Sequence, residues 1–219
     1  EKTGLSKLES INMAHESLKI AVKMAQKAAN KKVKVLGSIA PLNDCYKPKL
    51  FPGEDISKKE FHQIGEWLKD EGIDIFLIET MNSIDETKSC LNAISNFNLP
   101  IWVSFVLKDS ENLLSGEKLL DAILAIDRYD VDCVMLNCNP IDRTKKAMHI
   151  LSENWKKEWG IYPNLGIGEP SPDGIIKNIH PDRKFLNIIE DAMATGATVL
   201  GGCCGSGVSH IKLITNHSY

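Results

Sequence analysis

Six cysteines lie along the 219 residues, at positions 45, 90, 133, 138, 203 and 204. Two of them are adjacent, in Gly201-Gly202-Cys203-Cys204-Gly205. Neighbouring side chains on an extended strand point to opposite faces. Two adjacent thiols therefore reach one metal ion only where the backbone turns sharply, and the three glycines permit such a turn by tolerating positive φ and close approach. A third thiol, Cys138, ends an apolar run in Leu136-Asn137-Cys138-Asn139-Pro140. Three thiolates around zinc leave one tetrahedral position open, as in catalytic rather than structural sites. A soft thiol substrate suits that position and would be held there as a thiolate, nucleophilic at neutral pH. The cysteine pair alone also admits a vicinal redox couple or two small core residues. Cys138, at a second strand end, tilts the reading towards metal. Cys133 on a strand and Cys90 on a helix read as core, and Cys45, in a loop, is a weak ligand candidate.

These residues need elements to position them. Short, almost continuously apolar runs cover residues 33–40, 73–80, 101–107, 131–138, 161–165 and 197–201, as expected for parallel strands buried on both faces. Helical periodicity fills the intervals, at about 6–30, 116–128, 142–153 and 182–195. Two more helices start near Ser57 and Ser83, where Ser57–Glu60 and Ser83–Glu86 fit the capping-box spacing. Phe61, Ile64 and Leu68 form the apolar face of the first of these, and Leu91 and Ile94 belong to the next. Gly72 and Gly196 stand where helices should end.

Alternating strands and helices imply a parallel α/β sheet. No GxGxxG or GxxxxGK[ST] loop follows the first strand, which argues against a nucleotide-binding open sheet. Polar or reactive residues close successive strands: Ser38, Glu79 and Thr80, Asn137 and Cys138, Asn164, then Cys203 and Cys204. In a (β/α)8 TIM barrel such ends converge on one mouth. Six strands are visible where a barrel has eight, and the sequence opens on a helix. The expectation is one domain over residues 1–219, a barrel lacking its first strand–helix–strand segment. Long loops at 41–56 and 166–181 each follow a strand end, where a lid or substrate loop would sit.

Composition is that of an ordinary globular protein, 43% hydrophobic and 25% charged, with a net charge of -3. The basic residues are dispersed, which argues against a nucleic-acid groove or an anionic membrane surface. No secretory signal and no apolar run of membrane-spanning length is visible. With no export signal and a sizeable apolar core, the even cysteine count reads as reduced thiols in the cytoplasm rather than a disulfide framework. The sequence opens on Glu1, not methionine, which leaves a preceding targeting segment open. Nothing sets the oligomeric state.

Several segments resemble one family. Gly196-Ala197-Thr198-Val199-Leu200-Gly201-Gly202-Cys203-Cys204-Gly205, followed by His210-Ile211, is similar to the C-terminal signature of the homocysteine S-methyltransferases. Val134-Met135-Leu136-Asn137-Cys138 resembles their upstream cysteine motif, Phe76-Leu77-Ile78-Glu79-Thr80 their acidic strand end, and Tyr162-Pro163-Asn164 their Tyr-Pro-Asn element. Gly37-Ser38-Ile39-Ala40-Pro41 matches their Gly-Ser-x-Gly-Pro strand with Ala40 in place of glycine. The resemblance implies a barrel, a catalytic zinc on Cys138, Cys203 and Cys204, and recognition of the substrate ammonium by Glu79. Ser38 and Asn137 are the other expected substrate contacts. The implied substrates are homocysteine and a methyl donor, with methionine as product. The sequence after the metal motif is too short for folate or cobalamin modules, so S-methylmethionine is the expected donor. S-adenosylmethionine and betaine are the alternatives, Gly205 resembling the betaine and cobalamin branches. A catalytically silent zinc-binding barrel is a further alternative. The chain departs from the family in having no Asp-Gly-Gly first strand, so poor turnover is expected of these 219 residues alone. It also carries Val208 where many members have proline.

Overall fold

In a computed structural model, which describes residues 4–168 and 175–217, six strands form one parallel sheet in the order β1-β2-β3-β4-β5-β6. They are β1 (Leu36–Ile39), β2 (Ile75–Met81), β3 (Ile101–Phe105), β4 (Cys133–Pro140), β5 (Glu158–Asn164) and β6 (Val199–Leu200). The helices are α1 (Lys7–Ala29), α2 (Glu54–Asp70), α3 (Ile84–Ile94), α4 (Leu119–Ile126), α5 (Ile141–Asn154), α6 (Asp182–Thr195) and α7 (Val208–His217). Each strand pairs with the next in sequence, and among the described residues β1 and β6 are the unpaired edges. This is a six-strand arc of a (β/α) barrel, the expected incomplete form.

The apolar runs mark the strands because both faces are covered. All of β4 except Pro140 is buried, and Phe61 of α2, Leu91 of α3, Ile123 of α4, Leu151 of α5 and Phe185 of α6 join one core with the sheet. Fully burying one such side chain contributes about 1.5–3 kcal/mol. At β5–β6 the strands approach so closely that a Cβ on Gly160 would lie 2.0 Å from the Val199 carbonyl oxygen. That contact seats β6, and with it the cysteine pair.

The lower ends of the strands show where runs of apolar residues overstate strand length. Val33 is exposed and β1 begins only at Leu36, because Asp74 accepts the Val35 N–H at 2.7 Å before the ladder starts. Asp132 does the same for the Ile101 N–H at 2.9 Å.

Both expected capping boxes are corrected. Ser57 lies inside α2, whose N-cap is Gly53, and its hydroxyl donates to the Gly53 carbonyl. Ser83 is the α3 N-cap by position, but makes no side-chain cap. The Ile84 N–H is taken by Glu117 from the loop before α4, while Glu86 accepts the Leu42 N–H at 3.0 Å. At Ser57 the hydroxyl turns back to its own helix start, and at Ser83 tertiary partners outcompete the local pair. A genuine capping box, Ser6 with Glu9, starts α1. Gly72 and Gly196 have positive φ at helix ends, as expected. Of the long loop 166–181, residues 169–174 lie outside the described residues.

Candidate metal centre

Cys138 sits at the C-terminal end of β4, where the β4–β5 register shifts between Asn137 and Pro140. Its φ of 54° turns the thiol out of the strand's alternation. Cys203 and Cys204 follow β6 in a tight turn. The Cys203 N–H donates to the Pro163 carbonyl, and the Leu165 N–H donates to the Cys204 carbonyl, so the turn is laced to the end of β5. Ser206 closes it by donating both its N–H and its hydroxyl to the Cys203 carbonyl. Gly205 has φ 79°, and a Cβ on Gly202 would lie 2.5 Å from the Ser206 hydroxyl. Of the three glycines in the sequence pattern, Gly202 and Gly205 are the ones this turn requires.

The result is a cluster of three sulfurs, all within 4.8 Å of one another, with Cys138 and Cys204 Sγ 3.4 Å apart. Zinc–thiolate bonds of about 2.3 Å in a tetrahedron separate neighbouring sulfurs by about 3.8 Å. The cluster therefore fits a thiophilic ion such as zinc without rearrangement of the backbone. Cys138 is buried, Cys203 half-buried and Cys204 exposed, so the cluster opens on one side. Cys90 and Cys133 are buried in the core, as expected, and burial pushes both thiols up.

Cys138 ionises first. Hydrogen bonding from Cys203, then from the Tyr46 hydroxyl and Cys204, outweighs burial and lowers its thiol to about 6. Cys203 is pushed up, chiefly by its bond to Cys138, and Cys204 by burial. Tyr46 Oη lies 3.1 Å from Cys138 Sγ, and burial together with that bond keeps it a phenol. Tyr46 was not legible in the sequence, since it comes from the irregular loop after β1. Two residues beyond β2 hold that loop in place: Asn82 donates to the Cys45 carbonyl, and Glu86 accepts the Leu42 N–H. Cys45 is thus adjacent to the centre but outside the three-sulfur cluster.

Glu79, near the end of β2, faces the same mouth. Ser38 donates its hydroxyl to Oε1, and Tyr162 donates to Oε2 at 3.2 Å. The Tyr162 phenol is pushed well up by burial and then by the charge of Glu79, with a smaller effect from Cys203. Among the described residues no cation pairs with Glu79, whose partners are neutral hydroxyls. Asn137 lies beneath the surface at 1% exposure, its carboxamide engaged with Thr80 and Ser104. Asn164 accepts the Gly166 N–H and shapes the turn after β5. His210, buried behind the cysteine turn, accepts the Gly207 N–H through Nδ1. Among the described residues no helix is long and apolar enough to cross a membrane.

A family model described as homocysteine S-methyltransferase matches residues 1–217. Homocysteine S-methyltransferase 1 of Brassica oleracea is 27% identical over 238 residues, covering 97% of this chain and 72% of that protein. Homocysteine S-methyltransferase of Escherichia coli is 28% identical over 145 residues, covering 64% of this chain and 46% of that one. The chain thus spans from about half to about three quarters of these relatives' length. The metallated form of the homocysteine methyltransferase MmuM from Escherichia coli superposes with a TM-score of 0.79 at 22% identity, over 98% of this chain and 73% of that one. Its apo form gives 0.76. These structures share the fold, and the match over almost the entire sequence places the chain in the homocysteine S-methyltransferase family.

Proposed function

We propose that the chain is the homocysteine-binding unit of a zinc-dependent methyltransferase that makes methionine from homocysteine. The observation that carries this reading is a three-thiol cluster open on one side, with a carboxylate on the same mouth that has no cationic partner among the described residues. An amino thiol has the complementary groups: a soft sulfur for the metal and an ammonium for Glu79. Cys138, Cys203 and Cys204 would hold zinc, which supplies a Lewis acid that keeps a substrate thiol deprotonated at neutral pH.

The chain's own residues do the rest. Ser38 and Tyr162 aim the Glu79 carboxylate, spending neutral hydroxyls on it and leaving its charge for the ammonium. Tyr46 donates to Cys138 and spreads the negative charge of the thiolate cluster. With both substrate ends fixed, the sulfur is oriented towards the open side, where orientation itself lowers the barrier. The homocysteine sulfur then forms a bond to the donor's methyl carbon as the donor's sulfur–methyl bond breaks. With S-methylmethionine, an anionic thiolate and a cationic sulfonium become two neutral thioethers, and no general base is needed. Six unpaired cysteines support a reducing, cytoplasmic setting.

The test is methionine formation from homocysteine, followed by mass spectrometry with isotopically labelled methyl donors. S-methylmethionine is expected to outperform betaine and S-adenosylmethionine. Activity with betaine alone overturns the donor. Stoichiometric zinc without homocysteine binding overturns the enzyme reading and leaves a metal-binding barrel.

A further inference from the structure

Two non-glycine residues of the mouth hold left-handed backbone: Thr80, φ 59°, on β2, and Cys138, φ 54°, on β4. The conformation is unfavourable for any side chain and most of all for a β-branched one, so surrounding contacts must enforce it. Each residue falls at a register shift, Ile78 to Met81 in β2–β3 and Asn137 to Pro140 in β4–β5. Such irregularities re-aim side chains next to sites.

The strands β2 and β4 are not neighbours; β3 runs between them. Asn137 bridges that gap. Its Oδ1 accepts the Thr80 N–H at 3.0 Å and the hydroxyl of Ser104, on β3, at 2.8 Å. Its Nδ2 donates to Thr80 Oγ1 at 2.8 Å. Both acceptor positions of the carbonyl are filled, leaving none for a substrate. The residue before Thr80 is Glu79, and the residue after Asn137 is Cys138.

We propose that Asn137 is a positioning residue whose carboxamide clamps β2 to β4, fixes the span from the Glu79 carboxylate to the Cys138 thiol, and so selects homocysteine over the one-methylene-shorter cysteine. The proposal rests on the amino-thiol reading of the site. A substrate held at both ends senses that span, whereas one held at a single end does not. Without the carboxamide, Thr80 loses the two bonds that enforce its backbone, and Glu79 loses its fixed direction. A purely structural asparagine would affect stability but not the choice between the two thiols.

The experiment uses the zinc-loaded chain and measures homocysteine and cysteine binding by calorimetry, zinc content by metal analysis, and melting temperature. Asn137→Ala is expected to retain one zinc per chain, to weaken homocysteine binding about tenfold, and to narrow its preference over cysteine by a similar factor. Adding Thr80→Gly, which allows the left-handed backbone without help, should recover at least about threefold of the lost affinity. Should Asn137→Ala not fold, Thr80→Val removes the Oγ1 contact in the same shape and must narrow the preference too. An unchanged preference in the variant that folds overturns the clamp, as does a double variant no better than Asn137→Ala. If the unaltered zinc-loaded chain binds no homocysteine, the amino-thiol reading fails. The clamp is then judged by melting: Thr80→Gly must raise the melting temperature more in the Asn137→Ala or, failing that, the Asn137→Ser background than in the unaltered chain, and equal effects overturn it.

Discussion

At the N-terminal ends of the strands the sheet is fastened by a repeated device: Asp74 and Asp132, each just before a strand, take the N–H groups of Val35 and Ile101. The ladders between β2 and β3 and between β3 and β4 run in register from there. At the C-terminal ends the same strands carry register shifts, left-handed Thr80 and Cys138, a buried asparagine and a carboxylate without a cationic partner among the described residues. The lower end keeps its strands in register and contributes stability, its left-handed residues Asn30, Lys31 and Asn98 lying in turns after helices rather than on strands. At the upper end the strands themselves are irregular, within a residue or two of Glu79 and Cys138. In a barrel of this kind the two ends divide stability from chemistry.

That division can be broken at graded points. The largest effect is expected from Cys138→Ala, Cys203→Ala or Cys204→Ala, since losing one of three ligands should exceed the roughly 10–100-fold that outer-shell changes cost in metal affinity. Competition against a chromophoric chelator reads it, and a variant with unaltered affinity removes that cysteine from the centre. Next comes Glu79→Gln. It exchanges a charge-assisted contact for a neutral one, and should weaken homocysteine binding by about 10-fold while zinc content stays constant. Calorimetry on the zinc-loaded variant checks it; zinc loss with intact homocysteine affinity would make Glu79 a metal residue instead. Tyr46→Phe deletes only the hydroxyl beside Cys138. A fall in zinc affinity of up to about 10-fold is expected, with the melting temperature of the metal-loaded protein little changed. The smallest effect belongs to the other end. Asp74→Ala should lower the melting temperature by about 2–4 °C through the lost Val35 contact and leave zinc affinity untouched. A change in zinc affinity there would undo the separation of the two ends.

Legibility in the sequence followed locality along the chain. α6 runs from Asp182 to Thr195, the same residues that its periodicity marks, because its ends are local: a proline before it and Gly196 in a left-handed C-cap after it. The cysteine turn was legible because its glycines are next to its thiols. Ser83–Glu86 misled because spacing cannot show that Glu117 and Leu42 offer better partners from elsewhere in the chain, and Ser57–Glu60 because the helix starts one turn earlier, at Gly53, whose carbonyl takes the Ser57 hydroxyl. Tyr46 was invisible for a related reason: it lies 92 residues from the thiol it touches, on a loop without periodicity. Asn137 could be placed at the mouth from its strand position, but not the 57-residue reach by which it engages Thr80.

The most direct test of the central claim is the count of sulfur neighbours around zinc, by X-ray absorption on the metal-loaded chain before and after homocysteine is added. Three thiolates from Cys138, Cys203 and Cys204 are expected before addition, and four sulfurs after it. A shell that stays at three sulfurs in saturating homocysteine, or one built mainly of nitrogen and oxygen, would contradict an open three-thiol centre that takes its substrate by the sulfur.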